Sequence, residues 1–120
     1  MDPWSQHTLD IYGVEVFAVS TRKGWRELRK TVPFLRKKPA AAGLTYWGTP
    51  KGADRPHLVL WVDVDRHHST GDVVDTCAHE AHHGTERVLG WAGVDDSEAS
   101  AYLTGWLTGW LFESVTEEAK

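Results

Sequence analysis

His79-Glu80-Ala81-His82-His83 is an HExxH lying in a segment compatible with a long helix. Histidines at i and i+4 stand one turn apart on one helix face, so both imidazoles can reach one metal ion. The glutamate after the first histidine can approach a metal-activated water without ligating the metal, as a general base must. Zinc suits imidazole and carboxylate ligands, and a hydrolytic site needs three protein ligands plus an open water position. His79 and His83 supply two of them. The extended motif with glycine and a third histidine is absent, because Glu86 and Leu89 occupy those positions.

Glu98 is the best third ligand in the sequence, giving His-x3-His-x14-Glu. A tight helical hairpin would leave it roughly 10 Å along the axis from His83. The residues from Trp91 to Asp96 span up to roughly 20 Å when extended, enough to bring it back. A capping role competes: with Asp95 as N-cap, Glu98 occupies N3 of the last helix and completes a capping box. Asp95 and Asp96 are rival ligands, or acceptors for the other ring nitrogen of a ligand histidine. Other residues near the motif read as bystanders. His82 points off the His79–His83 line, His67 and His68 belong to a solvated turn, and Tyr102 stays outside the site although it lies one turn beyond Glu98.

These residues need elements to hold them. Ile11 to Ser20 reads as a strand through Val14, Val16 and Val19. Thr21 to Val32 reads as a short helix, with Trp25, Leu28 and Val32 at helical spacing. Leu44 to Thr49 and His57 to Asp65 read as paired strands, the second with Leu58, Leu60, Val62 and Val64 on one face. A helix is predicted from near Ser69 or Thr70 to Gly90–Gly93, with Val74, Cys77, Ala81, Gly84 and Val88 as its apolar seam. The two motif histidines fall on the opposite face and need a cleft to look into. Asp95, Asp96 or Ser97 caps a last helix running toward Glu118. In that helix Leu103, Leu107 and Leu111 form one apolar row and Trp106 with Trp110 another. Gly105 and Gly109 leave room for a neighbouring helix. The result is a small α+β domain over residues 1–120, with a three-stranded sheet, a motif helix and a C-terminal helix.

Composition limits the alternatives. A single cysteine, Cys77, excludes an internal disulfide and any Cys-rich zinc framework. Met1-Asp2-Pro3-Trp4 is no secretory leader, and Ala101 to Phe112 is too short to span a bilayer, so a cytoplasmic setting is expected. Residues 1–57 carry ten basic and five acidic side chains, and residues 58–120 three and twelve. The basic segment Arg22 to Lys38 reads first as a solvated helix and loop, so neither nucleic acid nor a membrane is an expected partner. Nucleic-acid contact would require it to form one continuous exposed face with salt-sensitive binding.

The segments His79–His83 and Glu98-Ala99-Ser100-Ala101-Tyr102 together resemble the gluzincin pattern of minimal ImmA/IrrE-like metallopeptidases. They also resemble short zincin-like proteins encoded by bacteriophages. The resemblance covers roughly residues 70–112 and rests on the motif itself. It implies a zincin-like metallopeptidase binding Zn²⁺ through His79, His83 and Glu98, with Glu80 assisting attack of a zinc-bound water on a peptide bond. The expected substrate is a peptide or protein, and as a further hypothesis it would lie along a sheet edge as an added strand, with His57 to Asp65 a candidate edge. The alternative is a non-catalytic zinc-binding module for interaction or assembly, with a homodimer through the Trp-rich C-terminal helix. A closed fourth metal position favours that module, and an open one beside Glu80 favours hydrolysis.

Overall fold

Two strands of buried apolar residues carry the architecture. In the computed structural model, which describes residues 3–119, Val14–Val19 and His57–Val62 lie side by side in parallel at the centre of one sheet. Ser5–Leu9 flanks the first and Gly43–Gly48 the second, both antiparallel. Numbered in chain order, the strands run β1-β2-β4-β3 across the sheet. The α+β class holds, but the sheet has four strands rather than three. The unpredicted strand, β1, reads Ser-Gln-His-Thr-Leu, with only Leu9 apolar. Pairing with β2 creates it, and no alternation of its own announces it.

Each central strand alternates between two cores, as a side-chain period of two requires. Val16, Ala18, Leu58, Leu60 and Val62 face one side, and Phe17, Val19, Val59 and Trp61 face the other. The second side is covered by α1 (Arg22–Thr31), through Trp25 and Leu28. The first is covered by α2 (Thr70–Ala92) and α3 (Ser97–Glu118), which pack as an antiparallel pair. The expected His57–Asp65 strand ends at Val62, and a 3-10 turn over Val64–Arg66 leads toward α2. Burial also turns α2 slightly from the predicted seam. Val73 is buried and Val74 is 39% exposed, while Cys77, Ala81, Gly84 and Val88 lie in the core as expected. Thr70 follows the N-cap Ser69, and Gly93 ends α2 with φ 70°, a left-handed conformation suited to glycine.

On α3, Leu103, Leu107 and Leu111 are buried. The second row is surface cladding: Trp106 and Trp110 stack 5.9 Å apart, and the His7 ring of β1 lies 4.7 Å from Trp106. A Cβ added at Gly105 or Gly109 would meet nothing within 4 Å, so no helix of this chain uses the space they leave. Among the described residues no helix is long and apolar enough to cross a membrane.

The end of α3 is tied to the sheet by a carboxylate. Ser5 Oγ donates to Glu118 at 2.9 Å, and the Ser20 backbone N–H at 3.1 Å. Burial pushes the Glu118 carboxyl up from 4.5 to about 7, although these hydrogen bonds pull the other way. The folded protein therefore keeps this proton to higher pH than the unfolded chain does. The corresponding stability is complete below pH 4.5 and is lost as pH rises through about 7. Glu118→Gln is expected to gain about 1–2 kcal/mol relative to wild type across that window, a figure discounted for partial exposure. Thermal melts of both proteins at several pH values check this; a difference independent of pH would contradict it.

Candidate metal centre

The motif helix places its chemistry on the edge of the core. Glu80 is 6% exposed, whereas His79 and His83 are exposed one turn apart on the flank. They look into the cleft that the sequence reading required. It measures about 690 Å³ and lies between α2 and the edge strand β3, with Gly43, Leu44 and Thr45 as its opposite wall. α2 comes this close because residue 43 has no side chain. A Cβ there would sit 2.5 Å from Thr76 Cγ2 and 2.9 Å from Glu80 Oε2.

His79 Nε2 and His83 Nε2 lie 3.2 Å apart, with the rings nearly perpendicular at 81°. Two nitrogens bound to one tetrahedral Zn²⁺ at about 2.0–2.1 Å stand about 3.3 Å from each other. The spacing matches two adjacent zinc positions in distance, and in the metal-free site the two nitrogens are within hydrogen-bond reach of each other. His83 Nδ1, the nitrogen turned away from that point, lies 3.6 Å from Glu86 Oε1. That distance is too long for a hydrogen bond. His82 Nε2 approaches the same oxygen at 3.5 Å and stays on the surface.

Glu80 is held from β3. The Thr45 hydroxyl donates to Glu80 Oε1 at 2.7 Å and lies 3.2 Å from the Glu80 carbonyl oxygen. Behind this contact, the His67 ring pins the preceding turn to α2. Its Nδ1 is 2.6 Å from the Asp63 carbonyl and its Nε2 2.7 Å from Thr76 Oγ1. The carbonyl can only accept, so Nδ1 donates to it, and Nε2 shares the second hydrogen bond with the Thr76 hydroxyl. His67 therefore fixes the residue that packs on Gly43 and is more than part of a solvated turn. Cys77 takes no part: burial pushes its thiol up to about 12, and the thiolate that attacks or ligates is absent at neutral pH.

Glu98 is not brought to the pair. Thr104 Oγ1 donates to Thr85 Oγ1 at 2.8 Å, which sets the register of the two helices. Counting back along α3 puts Glu98 level with residue 91, about 12 Å along the axis from His83. The connector between the helices does not make the return. The N-cap is Asp96 rather than Asp95, and it accepts from the Glu98 and Ala99 backbone N–H groups. Glu98 thus stands at N2, exposed, outside the capping-box register. Asp95 and Asp96 line a separate depression at the α2–α3 turn. Tyr102 is 77% exposed and lines a groove with Ile11 and Trp106, away from the cleft. Among the described residues no three His, Cys, Asp or Glu side chains converge on one point.

Thr45, Gly43 and Arg87 belong to the cleft and escaped the sequence reading. Thr45 had a signal, since alternate residues of a strand beside the motif helix must face it. Gly43, after a run of alanines, reads as a loop. Set against protein-family models, curated proteins and solved structures, the chain matches none of them.

Proposed function

We propose that this chain binds zinc through His79 and His83, with the third ligand that hydrolysis requires coming from outside the described side chains, and hydrolyses peptide bonds in the cleft between α2 and β3, with Glu80 as general base. The observation that carries this reading is the 3.2 Å separation of two ring nitrogens beside a buried carboxylate. Bound there, Zn²⁺ would supply Lewis-acid polarisation of a carbonyl and a more acidic water. Thr45 engages Glu80 Oε1 and leaves Oε2 to take a proton from water and pass it to the leaving amine.

The substrate-binding edge is revised by the strand order. β4 lies inside the sheet, paired on both sides, so the His57–Asp65 segment has no free edge. β3 is the outer strand on this side, and Gly43 to Thr45 line the cleft. A peptide substrate would add along β3, its backbone meeting the strand's free N–H and C=O groups. The proposal leaves Glu98 outside the site, because the hairpin keeps it at the far end.

Metal analysis tests this directly. The wild-type protein is expected to retain about one Zn²⁺ per chain and His83→Ala to lose it, as removal of one of two ligands demands. Glu98→Gln is expected to keep it. Equal zinc in wild type and His83→Ala would sink the assignment. A second reading, a zinc-dependent assembly module, draws on the exposed Trp91, Tyr102 and Trp106 around α3. Zinc-dependent dimerisation without peptide turnover is what that reading expects.

A further inference from the structure

The face of the sheet opposite the zinc cleft carries a cationic surface that the hydrolytic reading does not use. Successive residues of a helix turn by about 100°, which places Arg29, Arg22, Arg26, Lys30 and Lys23 within an arc of about 120° on α1. Trp25 and Leu28 occupy the other side and are buried against Trp61 and Val59. The loop after α1 extends this stripe. Arg29 Nε donates to the Leu35 carbonyl at 3.3 Å, and Trp25 Nε1 to the Arg36 carbonyl at 2.8 Å. These bonds fold Arg36, Lys37 and Lys38 back alongside the helix, where all three are exposed. The loop cations thus follow directly on the Arg29 edge of the helix stripe.

Its charges are available. Arg22, Lys23, Arg26 and the three loop cations make no ion pair or side-chain hydrogen bond among the described residues. The one acid on α1, Glu27, pairs with Lys30 at 3.2 Å. No acid stands in the first turn of α1, which instead begins with Arg22 and Lys23. Cations at the positive end of a helix dipole are unfavourable, and an anion bound there relieves the repulsion.

We infer that this surface binds the phosphate backbone of a nucleic-acid duplex, without reading bases. Chemistry selects that partner over others. The large exposed apolar residues, Ile11, Val74, Trp91, Tyr102 and Trp106, all lie outside α1 and its loop. A protein interface needs buried aromatic or aliphatic anchors at its centre. Single-stranded binding needs aromatic platforms for the bases. Backbone phosphates need only positioned cations.

The test is fluorescence anisotropy of a labelled DNA duplex of about two helical turns, titrated with the whole protein between 50 and 200 mM NaCl. Four contacted phosphates give a log–log salt slope of about −3.6, a loss of affinity of roughly 150-fold over that range. Arg26→Gln with Lys37→Gln is expected to flatten the slope by about 1.8. Both side chains are exposed, and an unchanged thermal melt certifies the fold. An RNA duplex of the same sequence separates the two sources of phosphate, and binding to either supports the inference. No binding at 50 mM salt, a slope untouched by the substitutions, or poly-L-glutamate binding as tightly as the duplex would overturn it. The last outcome would point to an acidic protein.

Discussion

A Glu80→Gln protein is expected to bind zinc as the wild type does and to cleave peptides 10²- to 10⁴-fold more slowly, the usual worth of a positioned general base. Glutamine has the same shape and can still accept from the Thr45 hydroxyl through its amide oxygen. It cannot take a proton from water. Because the histidines and not Glu80 are proposed to hold the metal, zinc content separates loss of the base from loss of the site. Turnover is read on a mixed peptide pool by mass spectrometry, which presumes no sequence preference. Unchanged turnover in the variant would remove Glu80 from the mechanism.

Gly43→Ala carries the second large effect, at a residue that performs no chemistry. The new Cβ meets Thr76 Cγ2 at 2.5 Å and Glu80 Oε2 at 2.9 Å. A threonine on a helix has few rotamers, and the hydroxyl of this one is held by His67 at 2.7 Å. The strain is relieved by moving α2 away from β3 or by displacing the Glu80 carboxylate. Overpacking of this kind costs about 1–3 kcal/mol, which in a chain this size lowers Tm by roughly 4–12 °C. Peptide turnover is expected to fall with it. Thr76→Ser deletes the offending methyl and keeps the hydroxyl, so the double variant should recover much of the stability. A Gly43→Ala melt identical to wild type would contradict the close packing on which the site depends.

The contrast between these two residues explains what the sequence could disclose. Glu80, His79 and His83 were legible because helical periodicity alone puts i and i+4 together, whatever the rest of the chain does. The Leu103–Leu107–Leu111 row and the buried Cys77–Ala81–Gly84–Val88 seam were legible for the same reason. Gly43 and Thr45 act across 33 or more residues of chain, and a pattern with a period of a few residues holds no record of that contact. β1 was hidden because a nearly apolar-free strand exists only through its partner, and β4 lies inside the sheet through a parallel pairing with β2 that joins strands about 40 residues apart. Glu98 shows the opposite failure. Residue type and spacing favoured it, but the Thr85–Thr104 register of the hairpin decides where it stands. The basic helix needed the fold for its meaning as well, since two side-chain-to-carbonyl bonds join it to its loop.

Zinc-edge X-ray absorption on the zinc-loaded protein addresses the central claim with least inference. The account predicts two imidazole nitrogens at about 2.0–2.1 Å in the wild type and no zinc retained by His83→Ala. A wild-type shell of oxygen ligands alone would contradict it.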